Sequence, residues 1–293
     1  MELVLTVLEI TSPVFLLALV GYIWVRAGFE YRVQFVTRLA MTLAVPCLIF
    51  TALMKTEVEP AALSLVTIAA IVAYGAVTVV TWALVAGFSL DRPTYLAPLI
   101  FGNTGNLGLP LALFAFGQEG LGYAVVIFAV MAVMAFTFGI WLVSGGGSLL
   151  KAVQEPMVSA TLLGALFLWQ GWKTPVFVTN TLELIGQMAI PLMLITLGVA
   201  VARLTPGGIG RALWLSLVKV GICVGCALGA GLWLDLPHVA LAVLVLQVAT
   251  PVAVTSYLLA EKYEADADAV AGLVVISTLL SVVSIPVVLA FFV

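Results

Sequence analysis

Between Phe101 and Pro110 the chain reads Phe-Gly-Asn-Thr-Gly-Asn-Leu-Gly-Leu-Pro, which sets three glycines, two asparagines and a proline inside an otherwise apolar run. Glycine and proline are the poorest helix formers, and an asparagine amide in hydrocarbon is costly without a partner. The segment therefore reads as a break, with freed N–H and C=O groups lining a polar volume; repeat register leaves the breaking residue open, since Pro110 pairs with Pro251 at an offset of 141 and Gly102 at 149. The half-helix that restarts after it would turn its positive end toward an anion, and Asn103, Thr104 and Asn106 add donors. The other reading is a glycine-rich packing face with asparagines bonding between helices. A second segment, Gln247 to Tyr257, carries Thr250-Pro251-Val252 at a corresponding depth. Pro251 removes a backbone donor and opens its helix; with no glycine nearby, a simple proline kink is the alternative.

The elements that must position these segments follow from composition. Of 293 residues, 64% are hydrophobic and 9% charged, with mean hydropathy +1.27. Soluble domains run at roughly 45–50% apolar and 25% charged, so the bilayer has to be the solvent, and helices the spanning elements. Uncharged stretches predict spans at 4–25, 33–54, 60–87, 94–115, 120–143, 156–172, 176–202, 211–234, 238–260 and 267–292. No alternating pattern supports a barrel. The opening Met1-Glu2 has neither a basic region nor a cleavage site, so the first stretch reads as a retained helix and not a signal peptide. The seven tryptophans, Trp24, Trp82, Trp141, Trp169, Trp172, Trp214 and Trp233, fall near span ends, where indole prefers the headgroup layer. Nine of the eleven Lys and Arg residues lie in or beside the odd-numbered connectors; only Lys55 and Lys173 lie on the other side. That bias predicts both termini extracytoplasmic, with a bacterial inner membrane as the expected location.

An internal repeat organises the spans. Pro13 and Gly21 recur as Pro156 and Gly164 at an offset of 143, Pro46 recurs as Pro191 at 145, and Asp91-Arg92-Pro93 aligns with Asp235-Leu236-Pro237 at 144. Five helices are an odd number, so the halves 1–143 and 156–293, joined by a cytoplasmic connector 144–155, must lie antiparallel. The expected fold is all-α integral membrane, with ten transmembrane helices as two inverted five-helix repeats and broken helices 4 and 9 crossing. In that plan sites lie near the midplane between the repeats.

Few other residues offer chemistry. Cys47, Cys223 and Cys226 sit in apolar runs, and a lone C-x-x-C without a second ligand pair reads as buried apolar side chains. No metal site, cofactor or catalytic group is expected, since no histidine cluster, aspartate pair or nucleophile beside a base is present. Glu9 and Glu183 read as solvated caps near span ends. Lys219, about two turns into helix 8, reads as snorkelling to the surface, or more sharply as a counter-charge for a substrate carboxylate. Gly221, Gly225 and Gly229 read as a close helix-packing face. Ser277, Thr278, Ser281 and Ser284 read as interhelical hydrogen bonding.

The motif Gly-Asn-Thr-Gly-Asn-Leu-Gly-Leu-Pro-Leu from Gly102, with TPVAVTSYLLAEKY from Thr250 and AVPCLIF around Pro46, resembles the auxin efflux carrier family, in a prokaryotic-type form with a short connector. The resemblance implies a scaffold of helices 1, 2, 6 and 7, a transport domain of helices 3–5 and 8–10, elevator-type exchange and a homodimer. It matches Asn103 and Thr104 to the first crossover and Pro251 to the second. Gly102 departs from the proline found there in plant carriers, and Val252 replaces a polar residue, so the plant substrate is not implied. Small organic acids such as malonate or malate are the expected class.

The sequence therefore points to a secondary transporter of small organic carboxylate anions, with Gly102, Asn103, Thr104, Gly105, Asn106, Thr250, Pro251 and Val252 binding the solute and Pro46 and Pro191 shaping scaffold helices. Sodium on the oxygens of Asn103, Thr104 and Thr250, or a proton, stays open as a coupling ion. A sodium-coupled symporter of similar fold, or a membrane ligand sensor without net flux, are the alternatives. The lack of charged rings disfavours a channel, and no basic arm suggests nucleic acid.

Overall fold

The protein is described here by a computed structural model covering residues 2–55, 60–144, 156–204 and 208–293; the expected connector lies, beyond Ser144, outside the described residues. Among those residues the chain is helical, with no strand. Seven stretches are long and apolar enough to cross a membrane: Leu5–Arg26, Val33–Lys55, Ala61–Gly87, Thr104–Ser144, Val176–Arg203, Ile209–Trp233 and Ala267–Leu289. Ser159–Gln170 and His238–Val248 are shorter apolar helices. Large apolar side chains such as Leu16, Ile23, Val79, Trp169 and Trp233 stand exposed on the outside, which only a lipid solvent makes favourable.

In chain order α1 is Glu2–Arg26, α2 is Val33–Lys55, α3 is Pro60–Gly87 and α4 is Arg92–Ile100. The stretch from Thr104 is turned at Gly117, whose φ of 62° and ψ of −149° no helix accommodates, so it divides into α5 (104–116) and α6 (118–144). Then follow α7 at Pro156–Gln170, α8 at Val176–Arg203, α9 at Ile209–Trp233, α10 at His238–Val248, α11 at Val254–Lys262 and α12 at Ala267–Leu289.

Two prolines deform their helices in the way their missing donor demands. Pro46 in α2 follows a π turn at Ala40–Ala44. Pro191 in α8 follows an interruption at Met188, where the helix is divided into Val176–Gln187 and Ala189–Arg203. Each lacks the N–H that would have closed the preceding turn, and the turn widens or opens instead.

Helix ends recur in matched pairs. At the end of α1, the amides of Gly28 and Phe29 bond back to the carbonyls of Val25 and Trp24; at the end of α7, those of Gly171 and Trp172 bond to Leu168 and Phe167. Both are Schellman closures, at an offset of 143, and both place glycine at positive φ, 86° at Gly28 and 65° at Gly171. A second pair closes α3 and α9. Ser89 and Leu90 bond back to Ala86 and Val85, and Asp235 and Leu236 bond to Leu232 and Gly231, with Ser89 and Asp235 both at φ 52°.

Glycine also sets the closest helix approaches. A Cβ on Gly21 of α1 would strike the backbone of Ile195 in α8, and one on Gly198 would strike the backbone of Ala18 and Tyr22. In the other half, a Cβ on Gly164 of α7 would stand 3.0 Å from Leu53 Cβ and 3.4 Å from Phe50 Cα in α2. By packing, α1 runs along the second half of α8, and α2 lies against α7 and the first half of α8, while α9 packs on α3, α10 and α12, and this group packs on the α4–α6 segment.

Candidate functional site

The helix α4 ends at Ile100 and α5 starts at Thr104; α10 ends at Val248 and α11 starts at Val254. The two interruptions lie side by side, and Gly102 and Val252 pair in an antiparallel bridge. The Asn103 amide donates to the Pro251 carbonyl at 2.7 Å, and the Val252 amide donates to Ser277 Oγ of α12 at 3.0 Å. Two of the backbone amides freed by the breaks, those of Asn103 and Val252, are thus satisfied inside the protein, as burial in an apolar medium favours. Gly102 is needed there on geometric grounds, because a Cβ would collide with Thr250 Oγ1 and come within 2.9 Å of the Thr250 carbonyl.

The start of α5 is wide. Leu107 and Gly108 both donate to the Asn103 carbonyl, at 3.1 and 3.3 Å, which makes the first turn π-like. Amides at the head of a helix have no carbonyl four residues back, and here they belong to Thr104, Gly105 and Asn106. Thr250 Oγ1 caps the end of α10 by donating to the Gln247 carbonyl at 2.7 Å. The glycines let neighbours close in: Phe128 of α6 lies on Gly105 and the Gln247 amide lies on Gly108.

Several polar atoms at this joint are buried and have no hydrogen-bond partner, namely Asn103 Nδ2, Thr104 Oγ1 and both amide atoms of Gln247. Asn103 is 4% exposed, and Thr104, Gln247 and Thr250 are 0%. Native proteins leave few such groups unpaired. Of the sequence candidates, Gly102, Asn103, Thr104, Gly105, Thr250, Pro251 and Val252 are buried together here, while Asn106 is half-buried. Gln247 was not among them. Its position four residues before Pro251 was visible, but its contact with Gly108 required the two breaks to be placed side by side.

Lys219 overturns the snorkelling expectation. It is 3% exposed, and its Nζ donates to the Leu99 carbonyl at 3.0 Å and approaches Cys223 Sγ at 3.8 Å. In an unbroken helix that carbonyl would receive the Asn103 amide, which goes to Pro251 instead. The ammonium caps the carboxyl end of α4, the negative end of its dipole. Gly221, Gly225 and Gly229 also depart from the packing-face expectation: nothing lies within 4 Å of a Cβ built on any of them. Glu183, read as a solvated cap, pairs with Lys55.

A cavity of about 1100 Å³ lies elsewhere, between the end of α2, the first half of α8 and the α5–α6 turn. Thr51, Lys55, Gln118, Glu119, Glu183 and Gln187 give it polar walls, and exposed Pro191 borders it; Pro46 is half-buried in α2 and does not line it. None of the residues at the paired breaks lines this cavity. Among the described residues no three His, Cys, Asp or Glu side chains are grouped to hold a metal ion.

A family model described as membrane transport protein matches residues 6–148 and 140–289. The chain is 29% identical to an uncharacterized transporter of Methanothermobacter thermautotrophicus, over 95% of this chain and 96% of that protein. It is 24% identical to an uncharacterized transporter of Methanocaldococcus jannaschii, with the same coverage of each.

Proposed function

We propose, from the premise that the chain belongs to the membrane transport protein family of auxin efflux carrier type, that it is a secondary transporter of small organic carboxylate anions. The observation that carries this reading is the joint of Gly102 and Val252, where two broken helices bring unpaired donors of Asn103, Thr104 and Gln247 to one buried place. The amino ends of α5 and α11 both start at this joint, and helix amino ends favour anions.

The reading includes ten crossings in two inverted repeats, 1–143 and 156–293, with α4–α5 and α10–α11 as the crossing fourth and ninth spans. It is supported by the equal closures of α1 and α7 at one offset, and of α3 and α9 at another. It is also supported by exchange of packing partners: Gly21 rests on Ile195, and Gly164 rests on Phe50, 145 residues before Ile195. In this scheme α1, α2, α7 and α8 form a scaffold anchoring a homodimer, and the remaining helices form a transport domain that moves against it. The cavity by Lys55 and Glu183 lies between these two groups and is the access path on the extracytoplasmic side, with both termini on that same side of a plasma membrane.

The test is charge movement on a solid-supported membrane carrying proteoliposomes, with labelled uptake beside it, across small mono- and dicarboxylates with and without sodium. A saturable response to an acid, lost or greatly weakened in a folded Asn103→Ala variant, supports the reading. Silence in both assays across the panel favours a ligand sensor, and a response only with sodium favours a symporter.

A further inference from the structure

Lys219 lies in the body of α9, eleven residues into a 25-residue helix, and is nine-tenths buried or more. A charge in that position is costly unless something compensates it. What the protein offers is small: one carbonyl, at Leu99, and the sulfur of Cys223. The helices packed around α9 are α3, α4, α10 and α12. Their only carboxylate is Asp268, in the first turn of α12. The two ion pairs among the described residues are Arg32–Glu30 and Lys55–Glu183, and Lys219 is in neither. The hydroxyl of Ser216, one turn earlier on α9, is also buried without a partner, as is that of Tyr74 on α3.

The same chain break creates both halves of a charge arrangement. Because Asn103 turns its amide to Pro251, the Leu99 carbonyl is released to hold the ammonium. Past the break, the amides that head α5 and the unpaired groups of Asn103 and Thr104 are left to hold an anion. The cation sits on the carboxyl end of α4, and the anion place is the amino end of α5, separated only by residues 101–103.

We infer that Lys219 is the fixed counter-charge of the transported solute: one buried ammonium, seated on the carbonyl released by the α4 break, that selects a carboxylate bearing a single negative charge. This rests on the carboxylate-carrier reading above. It adds that no coupled cation is needed for the loaded joint to be neutral, and that monocarboxylates are preferred over dianions of equal length. The contact with Leu99 is secondary to the charge.

The experiment is thermal unfolding of the purified full chain in mild detergent, with butyrate, succinate and butyramide as probes in choline and in sodium buffers. Wild type should show a saturable rise in midpoint with butyrate, a smaller rise with succinate, none with butyramide, and no difference between the two cations. Lys219→Met removes a buried charge with no acidic partner but leaves the Leu99 carbonyl unpaired, so its midpoint should stay near that of wild type, and it should lose the butyrate shift. Lys219→Arg should retain part of it. A butyrate shift kept in Lys219→Met, or a succinate shift exceeding that of butyrate in wild type, overturns the inference and leaves the carrier reading standing. A Lys219→Met protein that unfolds several degrees lower, or cannot be purified folded, makes Lys219 structural and also overturns it. Absence of any carboxylate shift in wild type removes the carrier reading and the inference together.

Discussion

The amide of Asn103 donates to the carbonyl of Pro251 across 2.7 Å, so the residue that opens one helix supplies the acceptor for the other. Proline has no amide to give, but its carbonyl is free, and at a break it points sideways instead of along a helix axis. Each interruption is therefore stable only in the presence of its partner. This mutual dependence shapes what substitutions at the joint should do.

Gly102→Ala places a methyl group against Thr250, whose carbonyl cannot move without disturbing the bridge. Overpacking of this kind costs about 1–3 kcal/mol. The thermal midpoint should fall and transport should be lost. Adding Thr250→Ala removes the nearest obstructing atom and should restore part of the stability; a double variant no better than the single one would place the strain elsewhere.

Gly28→Ala and Gly171→Ala form a matched pair. Each forces an alanine into the left-handed region that ends α1 or α7, at a cost of about 1 kcal/mol. Nothing lies within 4 Å of a Cβ at either site, so the loss is conformational alone. The two variants should show nearly equal drops in midpoint. Unequal drops would show that the two helix ends are not equivalent.

Gly198→Ala should be among the most damaging substitutions of glycine, because the new methyl meets backbone atoms of Ala18 and Tyr22 on α1. Gly225→Ala on α9 should be neutral or slightly stabilising, since its face is open and alanine is the better helix former, by about 1 kcal/mol. Detergent-solubilised yield and midpoint compare the two directly.

The sequence carried the breaks and the repeat through residue types that local physics punishes. Glycine, asparagine and proline inside apolar runs marked 102–110 and Pro251, and the offset of 143 between Pro13 and Pro156 reappears in the closures at Gly28 and Gly171. What stayed hidden depended on long-range placement. The break falls at 101–103, ahead of most of the glycines, because there the chain lies against Thr250 and Pro251; Pro110 follows the wide first turn, Thr104–Gly108, of the resumed helix, as Pro46 follows the one at Ala40–Ala44. Lys219 looked like a residue close enough to the surface to reach water, since nothing in its neighbourhood along the chain announces a carbonyl 120 residues away. The glycines of α9 had the spacing of a packing face without a helix to face.

Lys55→Ala should leave stability nearly unchanged, by less than about 1 kcal/mol. Its partner Glu183 is only partly buried, and Lys55 itself is 55% exposed at the cavity rim. Solute affinity and its salt dependence should respond more than the midpoint does. A midpoint drop well beyond that range would mean the pair clamps α2 to α8.

Cysteine labelling reads burial around Lys219. Cys223 is fully buried and Cys226 half-exposed. A maleimide should react with Cys226 in the folded protein and with Cys223 only after denaturation. Rapid labelling of Cys223 under native conditions would mean that α9 opens there.

The bridge between Gly102 and Val252 is made of main-chain atoms, and at 252 it does not depend on which side chain the chain carries. Mutation can therefore rewrite the lining of the joint while its frame persists, so long as position 102 stays small. Two carriers of this kind can share an architecture to the last helix and differ in cargo, which has to be read from the few side chains around the joint and not from kinship of the whole.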